Sequence, residues 1–275
     1  QPNAMGGREV GGLSNQLAAH MDIDNEVHRG IVQRFWNSPG IADKQGLKAV
    51  DLFEAIHDGK IKAVWIMSTN PVVSLPGADR VKSALEKCEY VVVSDCMEKT
   101  DTTSLANVLL PAATWGEKNG TVTNSERCIS RQRSFLSSPG EAKPDWWAVA
   151  EVARRMGFVD GFDYAAPHEI FREHAELSGF ENQDSSEKRR DFDISALTDI
   201  DSDMYENFDP VQWPVYKNAQ GAITGTPRMF ADGKFFTPNQ KARIITVEPR
   251  LPVNNTSTEF PLILNTGRCR DQWHT

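Results

Sequence analysis

Helical and strand patterns alternate along residues 49–111, and the strand segments are apolar through most of their length. Leu52, Phe53 and Ile56 follow Ala49 at the i+3, i+4 and i+7 spacing of an amphipathic helix. Further predicted helices are ADRVKSALEKC (78–88) and the short TTSLAN (102–107), and the predicted strands are KAVWIMS (62–68), YVVVSD (90–95) and VLLP (108–111). Strands without a polar face are typical of parallel sheets covered on both sides. The sequence therefore predicts an α/β fold with a doubly wound, mainly parallel sheet flanked by helices.

The pattern changes after an amphipathic helix predicted between Pro144 and Gly157. Residues 181–209 are acidic and weakly periodic, which favours a loosely structured insertion. Asp232-Gly233 between apolar pairs predicts a hairpin, and residues 242–252 and 259–267 are predicted strands. We therefore divide the chain into an α/β domain (1–158), a partly irregular acidic insertion with a hairpin (159–250), and the beginning of a C-terminal β-rich, barrel-like domain (251–275).

Composition narrows the class of protein. Among 275 residues, 39% are hydrophobic and 25% are charged, which is the balance of a globular protein. The net charge of −8 argues against general nucleic-acid binding. The chain has neither an apolar run of the roughly 18–20 residues that a membrane span needs nor a signal-peptide pattern. The four cysteines match no zinc or iron–sulfur spacing, so we interpret them as reduced thiols and predict a cytoplasmic location.

Polar side chains follow each of the three predicted strands. They are Thr69 and Asn70, then Ser94 and Asp95, then Glu117 and Lys118. In an open parallel sheet, ligands bind at the carboxyl ends of the strands, so these side chains are expected to face one crevice. A carboxylate can accept paired hydrogen bonds from a guanine edge, and a lysine with free backbone N–H groups can hold a pyrophosphate. The pattern therefore predicts a nucleotide-like ligand.

Each of these residues also has a purely structural interpretation. Asn70 before Pro71 is a common turn former, Asp95 could cap the next helix, and Asn119-Gly120 is typical of a tight turn. The chain has no Gly-x-Gly-x-x-Gly after a strand and no Walker lysine, which argues against an ordinary NAD or ATP site. The residues alone therefore indicate a ligand class and no reaction.

Six motifs occur in a characteristic order. They are QPNAMGGREVGG, WIMSTNPVVSLP, VVVSD, NVLLPAATWGEKNGTVTNSER, SPGEAKPDWW and NTGRCRDQWHT. In this order they resemble the bacterial molybdopterin oxidoreductase superfamily and, within it, the catalytic subunits of cytoplasmic assimilatory nitrate reductases, with periplasmic nitrate reductases as near relatives. The resemblance covers the chain except for about residues 160–240, and it implies an internal fragment of such a subunit.

The resemblance implies a cofactor, bis-molybdopterin guanine dinucleotide with molybdenum. The positions that match cofactor contacts in the family are Asn70, Ser94, Asp95, Lys118, Asp145 and, in the last motif, Thr266, Gly267, Arg268, Trp273, His274 and Thr275. Asp95 would read a guanine, and Lys118 would meet phosphate or pterin oxygens. On this interpretation the polar segment EKNGTVTN (117–124) closes over a large polyanionic cofactor.

Two further groups of residues are assigned through the resemblance. Met5 and Arg8 match a segment near the molybdenum and the substrate funnel, where Arg8 could attract nitrate; the alternative is a glycine-rich turn with a solvated arginine. Arg127, Arg131 and Arg133 are interpreted as structural charges rather than cofactor ligands.

The resemblance also implies elements that this chain does not contain. A [4Fe-4S] cluster and a molybdenum-binding cysteine are expected before Gln1, so no metal ligand and no catalytic residue is assigned here. The whole enzyme would reduce nitrate to nitrite by oxygen-atom transfer with two electrons. Its expected partners are nitrate, the remainder of the polypeptide and an electron-donor protein or domain, with no nucleic acid. The fragment alone is expected to be inactive, with an uncovered apolar face or an unpaired edge strand.

Two alternatives remain at this point. One is a formate dehydrogenase of the same superfamily. The other is a scaffold without cofactor, related to the large subunit of NADH–quinone oxidoreductases. QPNAMGGRE and CRDQWHT favour nitrate reductase, and Lys118, Asp145 and TGRCRDQWHT argue against the scaffold.

Overall fold

The computed structural model describes residues 3–182 and 189–264. The helices are α1 (Ala4–Glu9), α2 (Glu26–Phe35), α3 (Ala49–His57), α4 (Pro71–Ser74), α5 (Ala78–Lys87), α6 (Asp145–Arg155), α7 (Pro167–Gly179) and α8 (Ser202–Glu206). The strands are β1 (Gln16–Leu17), β2 (Met21–Asp22), β3 (Ala63–Met67), β4 (Tyr90–Asp95), β5 (Val108–Pro111), β6 (Gly120–Thr123), β7 (Cys128–Gln132), β8 (Val211–Gln212), β9 (Tyr216–Lys217) and β10 (Ile223–Thr224). None of the helices in these described ranges is long and apolar enough to cross a membrane.

The parallel sheet has the order β3-β4-β5, and its strands and helices lie close to their predicted positions. Ile66 pairs with Val93, and Val93 pairs with Leu109, so their side chains form one apolar face. Helices α3 and α5 pack against each other, and Phe53 and Leu85 from these helices are buried with that face. We call this cluster, which runs from Leu52 to Leu109, the sheet core. It confirms the predicted α/β class.

The other face of the sheet is only partly covered in the described part of the chain. Tyr90 on β4 is 49% exposed on this face. Away from the strands, Trp147 and Met156, in and just after α6, are 38% and 70% exposed. Strands β3 and β5 each have a single named strand neighbour, and one isolated parallel bridge, Ala112 with Lys143, extends the β5 side. An uncovered apolar surface and unpaired strand edges are therefore present in the described ranges, as expected.

A second core lies outside this sheet. Helices α2 and α7, the antiparallel sheet β6-β7-β8 and the segment that precedes β8 surround it. Phe192 is fully buried, and its ring lies 5.4 Å from that of Trp213 and 5.1 Å from the stacked imidazole of His174. We call this cluster, whose buried members extend from Ala18 to Val215, the second core.

Several local predictions are corrected. The glycine-rich segment that carries Met5 and Arg8 forms the short helix α1 rather than a turn. The acidic segment contributes buried Phe192, Ile194, Leu197 and Ile200 to the second core. Widely spaced apolar residues among carboxylates gave little periodicity, so this contribution was not visible in the sequence.

No strand forms in residues 242–264, and the predicted hairpin at Asp232-Gly233 is a turn without strands. Gly233 has φ +73°, and its N–H donates to the carbonyl of Phe230. Ile244 and Leu264 are 98% and 96% exposed. An apolar segment forms a strand only where a neighbour satisfies its backbone N–H and C=O groups, and the described residues supply none here. The rest of the predicted strand 259–267 lies outside the described residues.

Candidate functional site

The ends of the three parallel strands lie at one edge of the sheet. The Ser68 N–H, directly after β3, donates to the carbonyl of Ser94 at 2.8 Å, and the Ala112 N–H donates to the carbonyl of Asp95 at 3.0 Å. Lys143 joins the same edge, because its N–H donates to Pro111 and its carbonyl accepts from Ala113. The residues that follow the strands therefore begin from neighbouring points, as the parallel topology requires.

Lys118 and Asp145 meet at this edge. Lys118 Nζ lies 2.8 Å from Asp145 Oδ2, and both side chains are about three-tenths exposed. Asp145 is the first residue of α6, where a negative charge is stabilised by the helix dipole. Ser68 Oγ lies 3.5 Å from Asp145 Oδ1. A lysine has three donors, so Lys118 can hold Asp145 and still donate to an anionic ligand.

The loop that presents Lys118 is held by its own side chains. Glu117 accepts from the Thr114 N–H at 2.8 Å and closes a capping box around the turn Trp115–Glu117. Gly116 lies directly beneath Phe135, and a Cβ there would sit 2.8 Å from the phenylalanine ring. A side chain at residue 116 would therefore displace the exposed ring of Phe135. Glu117 holds the turn, and Lys118 extends to the edge of the sheet.

Ser94 and Asp95, the last two residues of β4, lie in different environments. Ser94 is 3% exposed, and its Oγ accepts from Trp65 Nε1 at 2.8 Å, so this hydroxyl is engaged within the sheet. Asp95 is half-buried, and its Oδ1 accepts from the Met97 N–H at 2.9 Å. Burial, followed by the nearby carboxylate of Asp95, raises the pKa of the Cys96 thiol and keeps it neutral. The thiol next to Asp95 therefore has no thiolate character.

Asn70 precedes α4, and its side chain does not cap that helix. Asn70 Oδ1 instead accepts from Thr102 Oγ1 at 2.6 Å, which joins the loop after β3 to the loop after β4. Thr102 is completely buried.

Sequence reasoning missed both Thr102 and Ser68. In the sequence, Ser68 is the last residue of the predicted strand 62–68. The structure ends β3 at Met67 and gives Ser68 a left-handed backbone conformation with φ +53°. Thr102 carried no signal beyond a threonine in a predicted short helix.

Met5 and Arg8 lie apart from the sheet. Both belong to α1, which packs on β6, and Met5 packs against the second core. The next residue, Glu9, is buried and accepts from Thr123 Oγ1 at 2.8 Å and from Trp213 Nε1 at 2.5 Å. Burial raises the pKa of Glu9 even though both hydrogen bonds act in the opposite direction. Glu9 therefore fixes α1 to the second core.

Three arginines that follow the polar segment make structural contacts. Arg127 donates to the carbonyls of Trp213 and Thr226, and Arg133 donates to the carbonyl of Glu206. The Arg131 guanidinium lies 4.3 Å from the centre of the Tyr205 ring and pairs with Glu206 at 2.8 Å. These contacts agree with the structural interpretation of the three side chains.

The last predicted set lies outside the described residues. It comprises Thr266, Gly267, Arg268, Trp273, His274 and Thr275. No group of three or more His, Cys, Asp or Glu side chains in residues 3–182 and 189–264 has the geometry of a metal site.

Comparison with known proteins gives the family. A family model described as molybdopterin oxidoreductase matches residues 4–155, which is more than half of the chain. The whole chain is 49% identical to a nitrate reductase of Klebsiella oxytoca and 48% identical to one of Shewanella frigidimarina, and it spans 30% and 29% of their lengths. It is also 30% identical to an F420-dependent formate dehydrogenase subunit alpha of Methanocaldococcus jannaschii, of which it spans 37%. The matched region includes the strand ends, Lys118 and Asp145, and the chain belongs to the molybdopterin oxidoreductase family.

Proposed function

We propose that this chain is part of the catalytic subunit of a molybdenum-dependent nitrate reductase, in which it supplies a portion of the shell around a pterin–guanine dinucleotide cofactor. The observation that carries the proposal is the meeting of Lys118, Asp145 and Ser68 at the carboxyl edge of the sheet, beside Asp95. The family implies a molybdenum–pterin cofactor. Identity of 49% to a nitrate reductase over the whole chain, against 30% to a formate dehydrogenase subunit, favours nitrate as the substrate.

The residues at the edge fit a large, polyanionic nucleotide. Lys118 supplies a half-buried cation, and the side chains of Asn70 and Ser68 add donors from the loop after β3. Asp95 supplies a carboxylate whose two oxygens can pair with the N–H groups of a guanine edge. The attraction between a phosphate and the Lys118 ammonium is stronger at this partly dehydrated edge than it would be in bulk water.

When bound, the molybdenum–pterin group supplies the two-electron chemistry that converts nitrate to nitrite with transfer of one oxygen atom. The residues of this chain bind and orient the cofactor. Lys118 neutralises negative charge, and Asp145 holds the Lys118 ammonium in place through their ion pair. Asp95 selects a guanine base, and the predicted contacts at Thr266–Thr275 belong to the same proposal.

The wider assignments are part of this proposal as well. They are the bis-dinucleotide form of the cofactor, a [4Fe-4S] cluster held elsewhere in the polypeptide, an electron-donor protein or domain, and a cytoplasmic location. They follow from the motif resemblance, and the chain spans 30% of the length of the Klebsiella relative.

The cofactor assignment is tested in the full-length protein. Lys118→Ala and Asp95→Ala are expected to lower the guanine nucleotide and molybdenum recovered per protein, measured by chromatography after acid release and by elemental analysis. Lys62→Ala is the matched control, because Lys62 makes an exposed ion pair with Glu89 at the opposite end of β3. Unchanged cofactor content in both site variants would end the site assignment.

The substrate is tested by assaying the full-length wild type with nitrate and a reduced viologen dye, and separately with formate and an oxidised dye. Nitrite formation without formate oxidation supports the proposal. Formate oxidation alone would assign the protein to the formate dehydrogenases. A purified protein without molybdenum or pterin would identify a scaffold.

A further inference from the structure

Thr102 is a fully buried polar residue in the loop between β4 and β5. Its hydroxyl donates to Asn70 Oδ1 at 2.6 Å and accepts from the Val72 N–H at 3.3 Å. A buried hydroxyl that both donates and accepts is fully engaged, so it has one stable orientation.

The backbone fixes both partners of this hydrogen bond. The carbonyl of Thr102 accepts from the Leu105 N–H at 3.0 Å, and Leu105 packs against the sheet core. The carbonyl of Asn70 accepts from the N–H groups of Val73 and Ser74, both at 3.0 Å. The main chain of both residues is therefore held by loops that lead into the sheet core, and the hydrogen bond from Thr102 Oγ1 orients the Asn70 side chain.

The hydrogen bond determines which end of the Asn70 amide is presented to a ligand. Because Oδ1 is turned toward Thr102, the amino group Nδ2 lies on the other side of the same planar amide. Nδ2 makes no hydrogen bond with any residue that the structure describes. Asn70 is half-buried at the edge where Ser68 and Asp95 also lie, so its donor is available to a bound molecule.

We propose that Thr102 is a positioning residue, which orients Asn70 so that its amide nitrogen donates to an acceptor oxygen of the bound pterin–guanine dinucleotide. The inference rests on the proposed cofactor site. It adds the chemical nature of the contact, because a phosphate or carbonyl oxygen fits opposite Nδ2 and a ligand N–H does not.

The test uses the full-length protein and measures the guanine nucleotide bound per protein at limiting cofactor supply. Thr102→Val, which keeps the volume and removes the hydroxyl, is expected to weaken retention by roughly five- to tenfold, as expected for one oriented hydrogen bond. Thr102→Ser keeps the hydroxyl and is expected to stay within about twofold of wild type. Asn70→Asp replaces the donor by an acceptor oxygen and is expected to weaken retention at least as much as Asn70→Ala.

The double variant Asn70→Ala/Thr102→Val separates positioning from general stabilisation. If Thr102 acts through Asn70, Thr102→Val produces no further loss of cofactor in the Asn70→Ala background. Two results overturn the positioning role. One is an equal loss of bound nucleotide from Thr102→Val in both backgrounds, and the other is a Thr102→Ser variant that retains as little nucleotide as Thr102→Val. Wild-type retention in Asn70→Asp overturns the donor assignment.

The two levels of the proposal fail differently. If Asn70→Ala retains the cofactor as the wild type does, Asn70 is no ligand and the inference fails with it, whereas Lys118→Ala and Asp95→Ala still report on the site. If Asn70→Ala loses cofactor and Thr102→Val adds an independent loss, only the inference about Thr102 fails.

Discussion

The two cores of this protein are built in opposite ways. The sheet core is assembled from one continuous stretch, Leu52 to Leu109, in which each strand packs with helices next to it along the chain. The second core joins Met21 and Val32 to residues as distant as Val215. The chain leaves the sheet after β5, forms the β6–β7 hairpin on the second core, and returns at Asp145. Lys118 lies on the outward path, so the Lys118–Asp145 pair ties the segment that leads to the second core to the edge of the sheet.

From this difference we expect the sheet core to stay folded when the second core is damaged. The second core, in contrast, depends on contacts between residues far apart in the chain. The candidate site draws on both, because the strand ends belong to the sheet and Lys118 belongs to the segment leading to the hairpin. Damage to either core is therefore expected to reach the site.

The largest effect is expected for Phe192→Ala. Phe192 is fully buried among the rings of His20, His174 and Trp213, and its truncation is expected to cost about 3–5 kcal/mol. Hydrogen exchange on the full-length protein should show faster exchange in α7 and unchanged exchange in α5. Leu85→Ala is the matched change in the sheet core and should show the reverse. Equal acceleration in α5 and α7 for either variant would show that the two cores unfold as one unit.

The second effect is a pH dependence of stability, which arises from His174 in the second core. Burial, with a smaller contribution from His20, lowers the pKa of His174 to about 4. The folded state thus binds this proton less readily than the unfolded chain. The contribution of neutral His174 to the free energy of unfolding is fully present above about pH 6.5 and is lost as the pH falls toward 4. The loss amounts to about 3 kcal/mol at most.

His174→Phe keeps a ring against Phe192 and removes the titration. It should flatten the loss of α7 protection between pH 7 and pH 4.5, after correction for the intrinsic exchange rate. The same acid-dependent loss in His174→Phe and wild type would show that another group is responsible.

The third prediction compares one arginine from each core. Arg131 has a side chain only 3% exposed, and it donates to the carbonyls of Tyr205 and Gly120. Arg131→Ala is expected to cost about 2–3 kcal/mol, because charged hydrogen bonds to buried acceptors are lost. Arg80, over the sheet core, pairs with Glu54 while 45% exposed, and Arg80→Ala should destabilise the protein far less, because solvent screens an exposed ion pair. Urea denaturation of the two variants measures the difference, and similar losses would remove the contrast.

The smallest effect is expected for Glu9→Gln, which keeps the shape of the side chain that holds α1. At low pH, altered hydrogen bonds to Thr123 and Trp213 are expected to cost about 1 kcal/mol. Burial raises the pKa of Glu9, so its contribution to the stability of the wild type is fully present below the ordinary pKa of 4.5. That contribution is lost as the pH rises through the raised pKa of the folded state. The difference between variant and wild type should therefore shrink from pH 4.5 to pH 8 in urea denaturation. A difference that grows with pH would contradict the sign.

The sheet core could be predicted from the sequence because its information is local. Apolar strands and i, i+3, i+4 helices in one stretch predicted β3, β4, β5, α3 and α5, and the parallel arrangement then predicted that Asn70 and Asp95 lie at one edge. The second core escaped because Phe192 and Trp213 are single aromatic residues in acidic or irregular segments, and only distant contacts reveal their burial. Ser68 and Thr102 escaped for a related reason, since a strained φ angle and a buried hydrogen bond are properties of the folded loops.

The long reach of the second core has a consequence for protein synthesis. The three described strands of the parallel sheet have been made by Pro111, so their core can begin to pack while the ribosome is still translating the rest. Met21 and Val32 must wait for Phe192 and Val215, which at about 5–20 residues per second means roughly 10–40 s with apolar side chains uncovered. Nascent chains of this protein are therefore expected to need a chaperone most in the interval that ends when residue 215 leaves the exit tunnel.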